Sequence, residues 1–300
     1  MKLLVVGGSG FVGRHFLQHA DLSAWKVSAT YHKDAAFPDF VRGLDRSYEA
    51  LQHDLLESET DLSAFDAAVY VAGNSNHTWA LDHADGDMMA NAVGMARFLD
   101  RFHGDLVLLS TGAVYFGHDG LVSPETPAAP LFPYGASKLA AELLAGWAAS
   151  TSRIRSLKVL RLYYAFGPGE EERRLIRRAL VQFGLERDPR FRINGTGLSL
   201  MGPMYVTDVV HALELALKGG SPGVYDLPSD RPHTVREIVE TAASVCGVKP
   251  EIELVSSPER TLTFYSEQAA LKREFGFVQR LSLADGMERY LEHLRREGPG

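Results

Sequence analysis

The chain has 300 residues, 45% of them hydrophobic and 23% charged, with a formal net charge of −7 at pH 7. That composition fills one large or two smaller cores and excludes a disordered chain, while the acidic balance, with no run of lysines or arginines, excludes nucleic acid and anionic membrane as the main partner. The single cysteine, Cys246, excludes an internal disulfide and a cysteine metal cluster; with no apolar run of membrane-spanning length and a start that opens on a core strand, the expected location is the cytoplasm.

Leu3 to Val6 is a short, wholly apolar run of the kind that forms a central parallel strand, and it opens into Gly7-Gly8-Ser9-Gly10-Phe11-Val12-Gly13. Glycine at 7, 8 and 10 lets the backbone turn sharply and lets a pyrophosphate approach the free N–H groups at the helix start, while Gly13 lets helix and strand lie close. The spacing satisfies GxGxxG from Gly8 and GxxGxxG from Gly7, and its place between strand and helix points to a dinucleotide-binding turn.

A helix is predicted at Phe11 to Ala20, a strand at Lys26 to Thr30 and another at Ala67 to Ala72, then a helix at Asp87 to Phe102 and a strand at Leu106 to Ser110. Pro133 suits the first position of a helix running to Ser150, with Leu139, Leu143, Leu144 and Trp147 as its apolar stripe, and Leu157 to Leu162 reads as the next strand. Such alternation predicts an α/β fold with a doubly wound parallel sheet covered on both faces. After Gly167-Pro168-Gly169 a charged helix, Glu170 to Arg178, changes the character of the chain. Residues 1–166 are therefore expected to form a dinucleotide-binding domain and 167–300 mainly a smaller substrate-binding domain, with Tyr205 to Leu217 and Gly223 to Leu227 (within 204–227) returning to the first.

Tyr134-Gly135-Ala136-Ser137-Lys138 sets a phenol and an ammonium four residues apart near a helix start, hence on one face. An unperturbed tyrosine titrates near ~10, and a neighbouring positive charge favours the phenolate, so Lys138 is expected to acidify Tyr134 and the pair to move a proton. Leu109-Ser110-Thr111-Gly112-Ala113 ends a strand at the carboxyl edge of the sheet, where Thr111 offers a hydroxyl for a substrate oxygen. None of the 11 histidines falls in HExxH or a comparable spacing, and Asp85-Gly86-Asp87 lacks the glutamate that closes a calcium loop, so no metal is expected. The sequons Asn76-His77-Thr78 and Asn194-Gly195-Thr196 read as chance matches.

In this order the motifs resemble, nearly end to end, the extended short-chain dehydrogenases/reductases of the NAD-dependent epimerase/dehydratase family. Gly7, Gly10 and Gly13, with Phe11 and Val12 between, match its nucleotide turn; His53-Asp54-Leu55 resembles the aspartate-leucine step whose carboxylate meets the adenine. Val71-Ala72-Gly73 and Asn91-Ala92-Val93-Gly94 resemble the segments beside the coenzyme, and Leu109 to Tyr115 resembles the catalytic strand, with Ser110 beside Thr111 in the hydroxyl position. Tyr134 and Lys138 match the YxxxK pair, Arg161 to Pro168 resembles the strand into the substrate domain, and Tyr205-Val206-Thr207-Asp208-Val209 the later aspartate segment. The resemblance implies a Rossmann-type fold and hydride exchange between a nicotinamide and a substrate carbinol, with Tyr134 as acid/base, Lys138 as its electrostatic partner and Thr111 as orienting donor.

Three departures qualify it. Family members that bind NAD end the second strand with an acid, where this chain has Tyr31 followed by His32 and Lys33, which suit a 2′-phosphate, so NADP is expected over NAD. Dehydratases of the family carry an acid after the catalytic threonine, where this chain has Gly112 and Ala113, so dehydration is not expected and keto reduction or epimerisation is. The asparagine and arginine with which relatives meet a nucleotide-sugar diphosphate are here Tyr164 and Met201, leaving Arg260 as a candidate cation; Asn74, His77, Trp79 and His118 are further substrate-facing candidates. A small molecule is the expected partner, a sugar-type substrate first, with a smaller apolar ketone or aldehyde, or a non-catalytic sensor role, as alternatives. The family's habit of pairing through the helices at Asp87 to Phe102 and Pro133 to Ser150 implies a homodimer.

Overall fold

The computed structural model describes residues 1–257 and 260–298. The chain opens with β1 (Lys2–Val6), α1 (Phe11–His19), β2 (Lys26–Tyr31), α2 (Phe37–Gly43), β3 (Glu49–Gln52) and β4 (Ala67–Tyr70). Two short helices, α3 (His77–Asp82) and α4 (Ala84–Met88), lead through a π-helical turn at Met89–Val93 into α5 (Gly94–Leu99). Next come β5 (Asp105–Thr111), β6 (Gly120–Leu121), α6 (Pro133–Ser150), β7 (Ser156–Leu162), β8 (Tyr164–Phe166) and α7 (Leu175–Leu180). The remainder is β9 (Arg190–Asn194), β10 (Leu200–Met201), β11 (Pro203–Tyr205), α8 (Val206–Lys218), β12 (Gly223–Leu227), β13 (His233–Thr234), α9 (Val235–Val245), β14 (Glu251–Val255), β15 (Phe264–Tyr265), α10 (Ala269–Phe275) and α11 (Leu283–Glu297).

Seven strands form one sheet in the order β12-β7-β5-β4-β1-β2-β3, and every neighbouring pair is parallel. The apolar runs β1, β4 and β5 are central because both their faces are covered. One face carries α1 and α8, whose Phe16, Leu17, Leu213 and Ala216 share a core with Leu3 and Val5; the other carries α5 and α6, whose Met95, Phe98, Ala141 and Ala145 meet Leu4 and Val6. The chain runs outward from β1 through β2 to β3, then crosses back to β4 on the other side, so the sheet order reverses between β1 and β4 and opens a crevice at their carboxyl ends.

A second apolar cluster joins α7, α9 and α11 through Ile176, Phe183, Ile238, Met287 and Leu291. Side-chain capping boxes at Thr234/Glu237 and Ser282/Asp285 start α9 and α11. Outside the main sheet β8 pairs with β11 and β9 with β14, both parallel.

Several predicted elements differ in extent. The helix predicted over Asp87 to Phe102 is interrupted by the π turn, and the strand predicted to Ala72 stops at Tyr70. The charged helix predicted from Glu170 starts only at Leu175, because Glu170 turns inward. Edge strand β3 was not predicted; its half-exposed sequence lacks the wholly apolar look of the central strands. Among the described residues no helix is long and apolar enough to cross a membrane.

Candidate active site

The turn between β1 and α1 is built for an anion. Gly10 caps α1 without a side-chain hydrogen bond and the first turn holds no acid, so the N–H groups of Phe11, Val12 and Gly13 point outward without helical partners. A Cβ at Gly13 would strike the Gly7 carbonyl and the Gly8 backbone, so only glycine permits this approach. The Gly7 N–H donates to Thr30 Oγ1 at 2.9 Å, tying the turn to β2.

At the end of β2, Tyr31 packs on Phe37 with ring centroids 5.5 Å apart. His32 Nε2 meets Asp54 Oδ2 at 2.9 Å, and the Asp54 carboxyl is held below its usual range chiefly by the Leu56 N–H, with His32 and Lys33 adding to it. Arg14, which sequence reasoning passed over, reaches from the Ser9 carbonyl (3.0 Å) to Asp34 (2.5 Å) across the glycine turn. Its guanidinium carbon lies 4.4 Å from the Phe40 ring centroid. Leu55 is half-buried beside α5, and Val71 and Ala72 continue β4 past Gly7, with the Val71 N–H on the Val6 carbonyl at 2.9 Å.

On the far side of the crevice, Thr111 ends β5 and is buried; its Oγ1 accepts the Ala113 N–H at 3.1 Å. Tyr134, in the first turn of α6, brings its hydroxyl to the Thr111 side chain. Burial raises the phenol above its ordinary pKa; Thr111 and the Arg174 charge act against that shift and Asp87 adds to it. This corrects the expectation that Lys138 acidifies the phenol. Lys138 instead donates from Nζ to the Leu109 carbonyl at 2.9 Å, and burial lowers it to about 8 against the charges of Glu142 and Asp87.

Behind the pair lies a buried ion pair. Arg161 Nη2 meets Glu142 Oε2 at 2.6 Å, Arg161 Nε adds a second bond at 3.1 Å, and Ser110 Oγ donates to the same carboxylate. Glu142 stands four residues after Lys138 on the same helix face, a signal the sequence did contain. Asn91, in the π turn, donates to Asp87 at 3.1 Å and Ser137 at 2.9 Å. Gly73, at φ +123°, faces Asn91 Oδ1 so closely that a Cβ would collide with it.

The substrate-side candidates divide. Tyr164 is buried, with Arg174 stacked 4.3 Å from its ring centroid, and beside it Glu170 is raised to about 8 by burial, 3.8 Å from Arg174. The Gly112 Cβ position is filled by the Tyr163 ring at 3.0 Å, and Ala113 is buried next to it. Met201 lines a crevice with Tyr163, Pro228 and Phe264. Arg260 is committed to Asp119 at 2.6 Å and the Gly117 carbonyl, and His118 to the Pro127 carbonyl at 2.7 Å. Asn74 turns inward to Asp87 at 2.6 Å, while His77 and Trp79 lie on the exposed part of α3. The loop after β8 rests on α1: His15 Nε2 donates to the Pro168 carbonyl at 2.7 Å and Gly169 lies beside Phe11. A cleft of about 720 Å³ lined by Asp100, His103, Arg153 and Arg155 opens at the amino edge of the sheet, away from these groups.

Over residues 3–227 the chain matches the family described as "NAD dependent epimerase/dehydratase family". A dTDP-glucose 4,6-dehydratase of Streptomyces niveus is 26% identical, covering 98% of this chain and 93% of its own. A UDP-glucose 4-epimerase of Corynebacterium glutamicum is 27% identical, covering 93% and 91%. The structure of MoeE5 in complex with UDP-glucuronic acid and NAD superposes with a TM-score of 0.86 at 25% identity, covering 99% of this chain and 100% of that one. A dehydratase among these relatives leaves the expectation against dehydration without their support.

Proposed function

The chain belongs to the NAD dependent epimerase/dehydratase family, and on that premise we propose that it is an enzyme moving a hydride between a nicotinamide coenzyme and the carbinol or ketone of a sugar-type substrate, a nucleotide sugar first. The observation that carries this reading is the Thr111–Tyr134 hydroxyl pair at the carboxyl end of β5, across the crevice from the uncapped first turn of α1. Gly7, Gly10, Phe11, Val12 and Gly13 would hold the coenzyme diphosphate; Tyr31, Asp54, Leu55, Val71, Ala72, Gly73, Asn91 and Ser110 would line its path toward Tyr134. Bound there, the coenzyme would supply hydride acceptance and return. Thr111 donates to the substrate oxygen and fixes it, and Tyr134 takes the carbinol proton during oxidation and gives it back during reduction. The raised Tyr134 must lose its proton for the first half, and the Thr111 hydroxyl and the positive charge of Arg174 are the groups of this chain that favour that loss.

NADP is the preferred coenzyme on this reading, supported by Arg14, His32 and Lys33 around the end of β2; Asp34 and Asp54, which hold Arg14 and His32, are the charges a 2′-phosphate must displace. Gly112, which carries no acid and has the Tyr163 ring 3.0 Å from its Cβ position, supports hydride return or reduction without elimination. A second reading, a reductase of a smaller, less charged ketone or aldehyde, is favoured by Tyr164 and Met201 and by an Arg260 already neutralised. We take residues 1–166 as the coenzyme domain and 167–300, apart from the returning β12 and α8, as the substrate domain. We also place the protein in the cytoplasm, where its one buried, unpaired thiol suits a reducing environment. Homodimerisation through α4 to α6 is supported by the exposed Met88, Met89, Leu143 and Trp147.

The test mixes the protein with NADP or NAD and UDP-glucose, UDP-glucuronic acid or dTDP-glucose, and with NADPH or NADH and cyclohexanone, following nicotinamide absorbance and identifying products by NMR. Tyr134→Phe is expected to lower kcat by ~10²–10⁴ and to leave coenzyme Kd within about threefold. Unchanged turnover in that variant overturns the mechanism; a 4-keto-6-deoxy product overturns the reading against elimination.

A further inference from the structure

Asp87 is completely buried where α4 passes into the π turn. A carboxyl group without access to water needs compensation. Its Oδ1 accepts from Asn74 Nδ2 at 2.6 Å and Asn91 Nδ2 at 3.1 Å, and its Oδ2 from Ser137 Oγ at 2.6 Å. All three donors are neutral. An asparagine in the same place would clamp α4 to α6 as well and cost less to bury, so the negative charge calls for a reason of its own.

That reason lies in the first turn of α6. Ser137 separates Tyr134 from Lys138, and its hydroxyl faces the Tyr134 carbonyl at 3.0 Å while also meeting Asn91. The Lys138 ammonium is buried with a neutral carbonyl as its hydrogen-bond acceptor. The carboxylate nearest to it on its own helix, Glu142, is already neutralised by the paired bonds of Arg161. Lys138, Glu142 and Arg161 together therefore leave one net positive charge in the interior, and Asp87, bonded to the neighbouring Ser137, is the buried acid of α4 whose charge acts on Lys138 beside that of Glu142.

We propose that Asp87 is a positioning residue of the Tyr134–Lys138 pair: its bonds to Ser137 and Asn91 hold the first turn of α6 in register, and its negative charge keeps the buried Lys138 side chain an ammonium. The inference rests on the function proposed above for that pair. Its electrostatic surroundings are defined: Lys138 faces Glu142 from its own helix and Asp87 from α4, and Tyr134 faces Thr111 from β5, Arg174 from the segment before α7 and Asp87. Removing the Asp87 charge moves both members of the pair toward easier proton loss, so the whole pH profile shifts acidward.

The experiment titrates the full-length protein labelled with ¹³C at the lysine ε-carbons, the Lys138 resonance being assigned with Lys138→Met. In Asp87→Asn the Lys138 midpoint is expected to fall by about one pH unit, a tenfold larger neutral fraction at a given pH, and the optimum of nicotinamide-linked turnover to move the same way. Asp87→Ser, which keeps a hydroxyl for Asn91 and Ser137, is the second charge-removing variant. Ser137→Ala loosens the clamp but keeps the charge, so it is expected to leave the Lys138 midpoint in place and to lower kcat. A Lys138 midpoint unmoved in the charge-removing variants, or moved equally in Ser137→Ala, overturns the role of Asp87 and leaves the Tyr134→Phe result standing. An active Tyr134→Phe would instead remove the function reading without touching the titration.

Discussion

Lys138 gives its ammonium to a neutral carbonyl in a dry place, and the energetic consequence has a definite sign. Its folded pKa, about 8, lies below the ordinary lysine value of 10.5, so between those values the unfolded chain holds a proton that the folded one has released. Stability contributed by this group therefore rises with pH across that window, and below it the buried charge is a constant cost. Lys138→Met is expected to raise the stability measured in urea at pH 7 by roughly 1–3 kcal/mol, a gap that narrows by pH 10, while lowering kcat at least ~100-fold. A variant that loses both stability and activity at pH 7 contradicts this account. At this scale the sequence was legible in part where a motif names the residue: the Tyr134 hydroxyl comes to the Thr111 side chain, while Lys138, one helical turn on, reaches the Leu109 carbonyl. Arg174 was not legible, because it lies in a stretch with several arginines and only the fold lays it on Tyr164. Asp87 read as part of a failed calcium loop, since nothing local shows that three neutral donors converge on it.

Among the elements, the π turn at Met89–Val93 departs most from what periodicity can convey. One widened turn keeps the apolar pattern of the surrounding helix almost intact, yet it directs Asn91 toward Asp87 and Ser137 and against Gly73. Gly73→Ala would have to adopt a φ of +123° and meet the Asn91 amide oxygen. It is expected to destabilise the fold by about 2–4 kcal/mol, read from the urea midpoint; a shift below the error of that midpoint would show that the turn yields easily. The predicted charged helix failed for a related reason. A run of acids and bases reads as a solvated face, but Glu170 is buried, which pushes its carboxyl up to about 8, and the helix starts only at Leu175.

For the molecule as a whole, alternating apolar strands and amphipathic helices sufficed to foresee a doubly wound parallel sheet, because burial on both faces imposes that composition. They could not give its width, since β3 is a half-exposed edge. Nor does composition say what covers α6, where Leu143 is 66% and Trp147 50% exposed on one face, four residues apart. Leu143→Arg is expected to convert the proposed dimer to monomer in sedimentation velocity at micromolar concentration; a native protein that already sediments as a monomer would sink that proposal.

The contact between His15 and the Pro168 carbonyl, with Gly169 against Phe11, joins the helix of the anion-binding turn to the loop that leaves the neighbouring strand. Burial keeps that imidazole below its ordinary pKa, so the tether does not depend on its carrying charge. A group seated on the first turn of α1 and one held by this loop would therefore lean on the same support, a single imidazole-to-carbonyl bond.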